Sequence, residues 1–112
     1  MGARVVLVGL GAVGAAYASR LLDAGIDLRV LAGPDRAGRY AAEPTMVNGR
    51  PYDVPLSTGE DGPAGVAIVA VKRAALADAV ELLRPCVGAD TVVISLLNGI
   101  DSEEVLAAAF PQ

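Results

Sequence analysis

Four short, mostly apolar runs stand out along the chain, and each predicts a buried β-strand. Glycine, proline or polar residues bound them, and they cover residues 5–8, 28–32, 66–71 and 91–96. A continuous apolar run of this length is typical of a strand in a parallel sheet, because such a strand is covered on both faces. We therefore expect a mostly parallel sheet.

Apolar residues spaced three and four apart predict the helices between these strands. In a first helix over residues 12–24, the apolar face is expected at Val13, Ala16, Tyr17, Leu21 and Ala24, with Ser19, Arg20 and Asp23 on another face. A helix over residues 74–84 has its apolar face at Leu76, Ala79, Val80 and Leu83. Shorter helices are expected over residues 35–43 and 103–109, the latter capped by Asp101 or Ser102.

The region between the second and third apolar runs departs from a simple strand–helix–strand pattern. Asn48 and Gly49 lie between two short apolar stretches, which is a strong signal for a tight hairpin. Pro51 and Pro55 lack a backbone N–H, so they keep these residues out of the centre of a sheet. We expect a small edge hairpin near residues 46–54.

Three glycines follow the first strand at the spacing G-x-G-x-x-G, directly before the first helix. Gly9 suits a tight turn, Gly11 lets the backbone approach a pyrophosphate, and Gly14 lets the helix pack close to the sheet. The free N–H groups and the dipole of the helix favour phosphate at this point. The expected cofactor-binding segment is Gly9, Leu10, Gly11, Ala12, Val13 and Gly14. The alternative is a glycine-rich turn that binds nothing.

Strands that alternate with helices, together with this motif, predict an α/β fold with helices on both faces of the sheet. We expect one Rossmann-like dinucleotide-binding domain over residues 1–112, with core strand order 3-2-1-4. The ligand would lie across the carboxyl ends of the strands.

The end of the second strand bears on the choice between NAD and NADP. An acidic residue there commonly binds the ribose of NAD, whereas this chain has Ala32 and Gly33. Arg36 follows, and a guanidinium group suits the 2′-phosphate of NADP. We therefore expect NADP(H) in preference to NAD(H), with Arg36 at the phosphate. Arg39 fits an exposed surface position equally well, and Asp35 could still reach a ribose hydroxyl.

Composition narrows the class of partner. Nine basic and thirteen acidic residues give a net charge of −4, without the basic stripe that is typical of nucleic-acid binding. The chain has no histidine and one cysteine, so no metal site is expected. No apolar run approaches the length of a membrane-spanning helix, and the N-terminus lacks a signal-peptide pattern. We expect a cytoplasmic protein that binds small molecules, with no nucleic-acid or membrane partner.

Three segments in a fixed order resemble the N-terminal domain of ketopantoate reductases, also called 2-dehydropantoate 2-reductases. They are the glycine segment, Val71-Lys72, and Leu97-Asn98-Gly99-Ile100 followed by Glu103-Glu104. Residues 36–40 and 47–53 resemble one branch of the family, so the resemblance covers nearly the whole chain. It implies NADPH-dependent reduction of 2-dehydropantoate, or a related 2-oxo acid, to the 2-hydroxy acid in pantothenate biosynthesis.

The resemblance also implies residue roles. Lys72 and Asn98 would lie beside the nicotinamide and the substrate as catalytic residues, and Val71 and Gly99 would contact the cofactor. By themselves these residues fit an ordinary strand-end lysine and an Asn-Gly turn equally well. The family's general-acid lysine and a substrate-binding glutamate belong to a following helical domain, which we do not expect within these 112 residues. The chain alone is therefore expected to bind cofactor without turnover.

Other functions use a similar half-fold. A non-catalytic nucleotide-sensing module needs no group beside the nicotinamide, so Lys72 and Asn98 favour the reductase. A methyltransferase domain that binds S-adenosylmethionine commonly has an acidic residue where this chain has Ala32. The sheet edge beyond the last strand further predicts self-association, because an unpaired edge is a template for another chain.

Overall fold

A computed structural model of the chain describes residues 4–57, 59 and 62–96. The elements in chain order are β1 (Val5–Val8), α1 (Ala12–Asp23), β2 (Leu28–Leu31), α2 (Pro34–Ala42), β3 (Thr45–Val47), β4 (Arg50–Tyr52), β5 (Leu56–Ser57), β6 (Val66–Val69), α3 (Leu76–Leu83) and β7 (Val92–Ser95). Short 3-10 turns flank α3 on both sides, at Arg73–Ala75 and Arg84–Cys86. The helix expected over residues 103–109 lies outside the described residues.

The main sheet is parallel throughout its described part, with the order β5-β2-β1-β6-β7. This confirms the Rossmann-like α/β class. The order 3-2-1-4 is present only with β5 as the third strand, so the place expected for the third apolar run needs correction. The strand beside β2 is the two-residue β5, whereas the run expected as third core strand forms β6 on the other side of β1. Pro55 is compatible with this position because its carbonyl accepts a hydrogen bond from the Val30 N–H at 2.7 Å, and no donor is required of it.

Helices cover both faces of the sheet as expected, except at β7, which is not the buried strand that we predicted, since Val92 and Ile94 are exposed among the described residues. On one face, α3 contributes its whole predicted apolar side, Leu76, Ala79, Val80 and Leu83, to a cluster with Val6, Val8, Ala67 and Val69. On the other face, α1 packs on Val5, Leu7, Leu28, Val30 and Ile68. Every residue of β1 is buried, which explains its unbroken apolar sequence. Each fully buried aliphatic side chain contributes about 1.5–3 kcal/mol of transfer free energy.

The face that α1 presents to the sheet differs from the expected one. Ala15, Ala18 and Ser19 are buried, whereas Val13 and Tyr17 are 54% and 46% exposed. The reason is steric, because Gly14 contacts the backbone of the preceding loop so closely that it fixes the rotation of the helix. The small residues therefore face the sheet and Val13 and Tyr17 face outward, whereas Leu21 packs against the core as expected.

The predicted hairpin is confirmed as a two-stranded antiparallel ribbon, β3–β4, separate from the main sheet. Asn48 and Gly49 form its turn with positive φ angles of 51° and 79°, as a tight primed turn requires. The Tyr52 hydroxyl donates a 2.9 Å hydrogen bond to the Asp23 carboxylate at the end of α1. This bond raises the pKa of Tyr52 and ties the ribbon to the helix.

Thr91 fixes the start of β7 beside β6. Its buried hydroxyl donates to the Ala64 carbonyl at 2.6 Å and accepts from the Gly88 N–H at 2.9 Å. The side chain thus satisfies two backbone groups just before the strands begin to pair. Among the described residues, no helix has the length and apolar character needed to cross a membrane.

Candidate functional site

The glycine loop joins β1 to α1 at the carboxyl edge of the sheet. Gly9 has a φ of +105°, and a Cβ placed on it would lie 2.6 Å from the Ala70 carbonyl oxygen. The loop can therefore turn this tightly over the end of β6 only with glycine at this position. The Ala70 N–H in turn donates to the Val8 carbonyl at 2.8 Å, which keeps the ends of β1 and β6 together.

Two further glycines of the motif have opposite surroundings. A Cβ on Gly14 would overlap the Gly9 carbonyl and lie 3.2 Å from the Ala70 Cβ, so the predicted close packing of helix and sheet is confirmed. A Cβ on Gly11 would meet nothing within 4 Å. Gly11 is also the N-cap of α1, without a side-chain cap, so the first N–H groups of the helix remain available beside open space.

One cavity of about 480 Å³ lies over the ends of β1 and β2. We call it the β2-side cavity; it is lined by Val8, Gly9, Leu31, Ala32, Gly33, Tyr40, Val71, Ala75, Asp78, Ala79, Glu81 and Leu82. Its lining is mostly apolar. The two carboxylates come from α3, and Glu81 forms a 2.8 Å ion pair with Arg84.

A second cavity of about 710 Å³ lies directly over the glycine loop. We call it the loop-side cavity, and its floor is Gly9, Leu10 and Gly11. One wall is the end of α2 and the start of the hairpin, with Arg39, Tyr40, Glu43, Pro44 and Thr45. The opposite wall follows β6, with Ala70, Val71, Lys72, Ala74, Ala75 and Asp78. Gly9, Tyr40, Val71, Ala75 and Asp78 line both cavities, so the two spaces adjoin.

The loop-side cavity has charged side chains on both walls. Arg39 and Glu43 come from the α2 wall, and Lys72 and Asp78 come from the β6 wall. Within the part of the chain that the structure describes, none of these four side chains has a hydrogen bond or an ion pair. They are therefore available to a ligand that enters between the walls.

Comparison with known proteins identifies the family. The family model described as ketopantoate reductase PanE/ApbA matches residues 5–112, nearly the entire chain. The chain belongs to this family. The resemblance inferred from the three sequence segments is thereby confirmed.

Individual relatives are longer than this chain. An uncharacterized oxidoreductase, YkpB of Bacillus subtilis (strain 168), is 30% identical over 112 residues, which cover 96% of this chain and 37% of that protein. The crystal structure of 2-dehydropantoate 2-reductase from Geobacter metallireducens GS-15 is 31% identical with a TM-score of 0.75, covering 96% of this chain and 38% of its own. The chain thus spans about two fifths of the length of these family members.

A more distant similarity concerns the fold alone. The structure of D-mandelate dehydrogenase with NADH and anilino(oxo)acetate is 20% identical in sequence to this chain and superposes with a TM-score of 0.81. The match covers 96% of this chain and 38% of that one. The Rossmann-like arrangement is therefore shared beyond the ketopantoate reductases.

The structure brings together five of the family-implied site residues. Gly9, Leu10, Gly11, Val71 and Lys72 all line the loop-side cavity. Of the remaining motif residues, Ala12 begins α1, Gly14 is buried under the loop and Val13 faces outward. Arg36 lies in the first turn of α2, with its side chain outside what the structure describes, and Asn98 and Gly99 lie outside the described residues.

Sequence reasoning missed other residues of the two cavities. The sequence does not point to Tyr40, Glu43 or Asp78, and it leaves open whether Arg39 contacts the cofactor or lies at the surface. A sequence signal does exist for this pair, because Arg39 and Glu43 are four residues apart in the helix expected over residues 35–43, although in the structure Glu43 is the extended residue that follows α2. Only the packing of α2 beside the glycine loop shows that this face borders a cavity.

Proposed function

We propose that this chain is the NADP(H)-binding domain of a ketopantoate reductase-like oxidoreductase, which reduces 2-dehydropantoate or a related 2-oxo acid in pantothenate biosynthesis. One observation carries the proposal. The glycine loop forms the floor of a cavity at the carboxyl edge of a parallel sheet, with Lys72 on its wall. In such sheets ligands bind outside the carboxyl ends of the strands, where the strand order reverses.

The residues present fit a dinucleotide. The open space around Gly11 lets a pyrophosphate approach the backbone, and the uncapped N–H groups of α1 can donate to its oxygens. The apolar lining around Leu31, Ala32 and Leu82 fits an adenosine group in the adjoining β2-side cavity. A reduced nicotinamide, when bound, supplies the hydride. By the family resemblance, Lys72 and Asn98 would lie beside the nicotinamide and the substrate and orient them for the transfer.

The preference for NADP(H) over NAD(H) rests on the end of β2. Ala32 and Gly33 line the β2-side cavity without a carboxylate on that strand, and Arg36 follows in the first turn of α2. Charge-assisted hydrogen bonds from Arg36 to a 2′-phosphate would contribute about 1.5–3 kcal/mol, or roughly ten- to a hundredfold in affinity. Asp78 and Glu81 oppose this preference, because they are acidic and line the same cavity.

Titration of the chain with NADPH and NADH, followed by nicotinamide fluorescence, tests the proposal. We expect both to bind and NADPH to bind more tightly, with Arg36→Ala removing most of the difference. A parent chain that binds neither dinucleotide contradicts the proposed function. Equal affinities in the parent contradict the role of Arg36 and favour NAD(H), which is the cofactor in the D-mandelate dehydrogenase structure of the same fold.

We further propose that these 112 residues alone do not reduce a 2-oxo acid. Hydride transfer to a ketone leaves negative charge on oxygen, which a proton or positioned donors must meet. Lys72 is exposed, and the chain has no histidine. Positioning of reactants in a closed site contributes about 7–11 kcal/mol, which an open cavity wall does not supply. NADPH oxidation in the presence of 2-dehydropantoate measures this directly, with a full-length ketopantoate reductase as positive control, and clear turnover by the chain contradicts it.

A further inference from the structure

Arg39 lies across the loop-side cavity from Lys72. It occupies the last turn of α2, on the wall opposite the end of β6, and the glycine loop lies between the two walls. Neither basic side chain has an ionic partner in the described part of the chain. An anion between the walls would therefore be attracted from both sides, and the backbone N–H groups of the glycine loop would add donors from the floor.

The position of Arg39 distinguishes between the phosphates of a dinucleotide. Ala32 and Gly33, at the end of β2, border the β2-side cavity, and Arg39 does not. Arg39 instead shares the loop-side cavity with Gly9 and Gly11. The group that a G-x-G-x-x-G loop holds is the pyrophosphate, whereas a 2′-phosphate lies at the end of the second strand.

We propose that Arg39 binds the pyrophosphate from the α2 wall, opposite Lys72, and so adds affinity for NADP(H) and NAD(H) alike. The inference rests on the proposed function and assigns a residue to it that the glycine motif does not contain. A guanidinium group presents its N–H donors as a planar fork that matches two phosphate oxygens, which an ammonium group cannot do.

Glu43 is the natural competitor for this arginine. It lies one turn further along, at the end of α2, and lines the same cavity. In the structure its carboxylate forms no ion pair with Arg39 within 4.0 Å, so the guanidinium is not already neutralised by it. A carboxylate at this place repels the pyrophosphate, and Glu43→Gln is therefore expected to strengthen binding.

The test uses two small ligands that separate the phosphates. ADP contains a pyrophosphate without a 2′-phosphate, and adenosine 2′-monophosphate contains a 2′-phosphate without any phosphate at the 5′ position. Calorimetric titration would compare the parent chain, Arg39→Ala and Arg39→Lys, with Arg20→Ala as the control of equal charge change. Arg20 is exposed on α1 and lines neither cavity.

We expect Arg39→Ala to weaken ADP, NADPH and NADH by about tenfold each, as the loss of one charge-assisted contact at an exposed position predicts. Arg39→Lys should recover part of the loss, and Arg20→Ala should leave affinity unchanged. Adenosine 2′-monophosphate should bind equally to the parent and to Arg39→Ala.

Two results would overturn the assignment alone, and a third would overturn the proposed function with it. Loss confined to NADPH and adenosine 2′-monophosphate would place Arg39 at the 2′-phosphate. An unchanged affinity for all ligands would remove Arg39 from the site while leaving the dinucleotide-binding function intact. A parent chain that binds no dinucleotide would overturn both. Circular dichroism checks the fold of each variant, and alanine on an exposed helix position is expected to preserve it.

Discussion

A single added methyl group should separate folding from cofactor binding at two glycines of the same loop. At Gly14 the methyl overlaps the Gly9 carbonyl, which is backbone and cannot move aside like a flexible side chain. Overpacking of this kind costs about 1–3 kcal/mol, and the rigid neighbour favours the upper end. Alanine has a higher helix propensity than glycine, which offsets about 1 kcal/mol of this cost. We therefore expect Gly14→Ala to lower the free energy of unfolding by about 2 kcal/mol.

At Gly11 the same methyl meets open space, and the residue has a φ of −70°, which any residue adopts. Replacing an N-cap glycine by alanine costs about 0.5–1 kcal/mol, because glycine is preferred to alanine there, so we expect Gly11→Ala to lose clearly less stability than Gly14→Ala. The methyl would nevertheless occupy the space that a pyrophosphate needs. A steric cost of about 1–3 kcal/mol corresponds to roughly five- to 150-fold weaker binding, and Gly11→Val should abolish binding.

Thermal unfolding and NADPH titration on both variants provide the assay. For a domain of this size 1 kcal/mol shifts Tm by about 4–8 °C, so Gly14→Ala should melt roughly 8–16 °C below the parent. Gly11→Ala serves as its matched control. A Gly14→Ala variant that melts with the parent would refute the packing argument, and a folded Gly11→Val variant that binds NADPH normally would refute the phosphate-binding role of the loop.

Three more predictions follow from packing, ionisation and the sheet edge. Thr91→Val should lower the free energy of unfolding by about 2–4 kcal/mol in a denaturant titration, because the Ala64 carbonyl and the Gly88 N–H lose the hydroxyl that bonds them. Thr91→Ser keeps a hydroxyl and should retain most of the stability. Equal losses in the two variants would contradict this. The hydrogen bond to Asp23 raises the pKa of Tyr52, so this bond stabilises the fold below pH about 10, and its contribution is lost as the pH rises through the raised pKa. Tyrosinate absorbance should therefore show one tyrosine that ionises at higher pH than the others. Asp23→Asn should return its pKa to the ordinary value. The outer edge of β7 has no partner strand among the described residues, so the chain should self-associate in sedimentation experiments and Ile94→Lys should oppose this; a monomeric parent at all concentrations would argue against it.

The sheet and the glycine loop could be predicted from sequence because their causes are local. A strand buried on both faces must be apolar throughout, and β1 shows this in Val5–Val8. A loop that turns against the neighbouring strand needs glycine at the contact, as Gly9 and Gly14 show. In both cases the sequence states the constraint within a few consecutive residues.

Strand β5 and the rotation of α1 depend on partners elsewhere in the chain. Leu56–Ser57 is too short for any periodicity, and only its pairing with Val30 and Leu31 makes it a strand. In α1, apolar spacing favoured Val13 and Tyr17 as the packed face. The contact of Gly14 with the loop outweighs this preference. An overlap of fixed backbone atoms costs more free energy than is lost by leaving the side chains of Val13 and Tyr17 partly exposed.

The walls of the loop-side cavity were the least predictable part of the site, and they decide how strongly it attracts phosphate. Its described lining has two basic side chains, Arg39 and Lys72, and two acidic ones, Glu43 and Asp78. The side-chain charges therefore balance, and the N–H groups of the glycine loop provide the net attraction for an anion. Removing Arg39 leaves one basic side chain against two acidic ones around a doubly charged pyrophosphate. The loss of affinity thus contains a repulsion that salt can screen, since the Debye length is about 10 Å at 0.1 M. The defect of Arg39→Ala should shrink as salt is added, whereas the steric defect of Gly11→Ala should persist at every ionic strength.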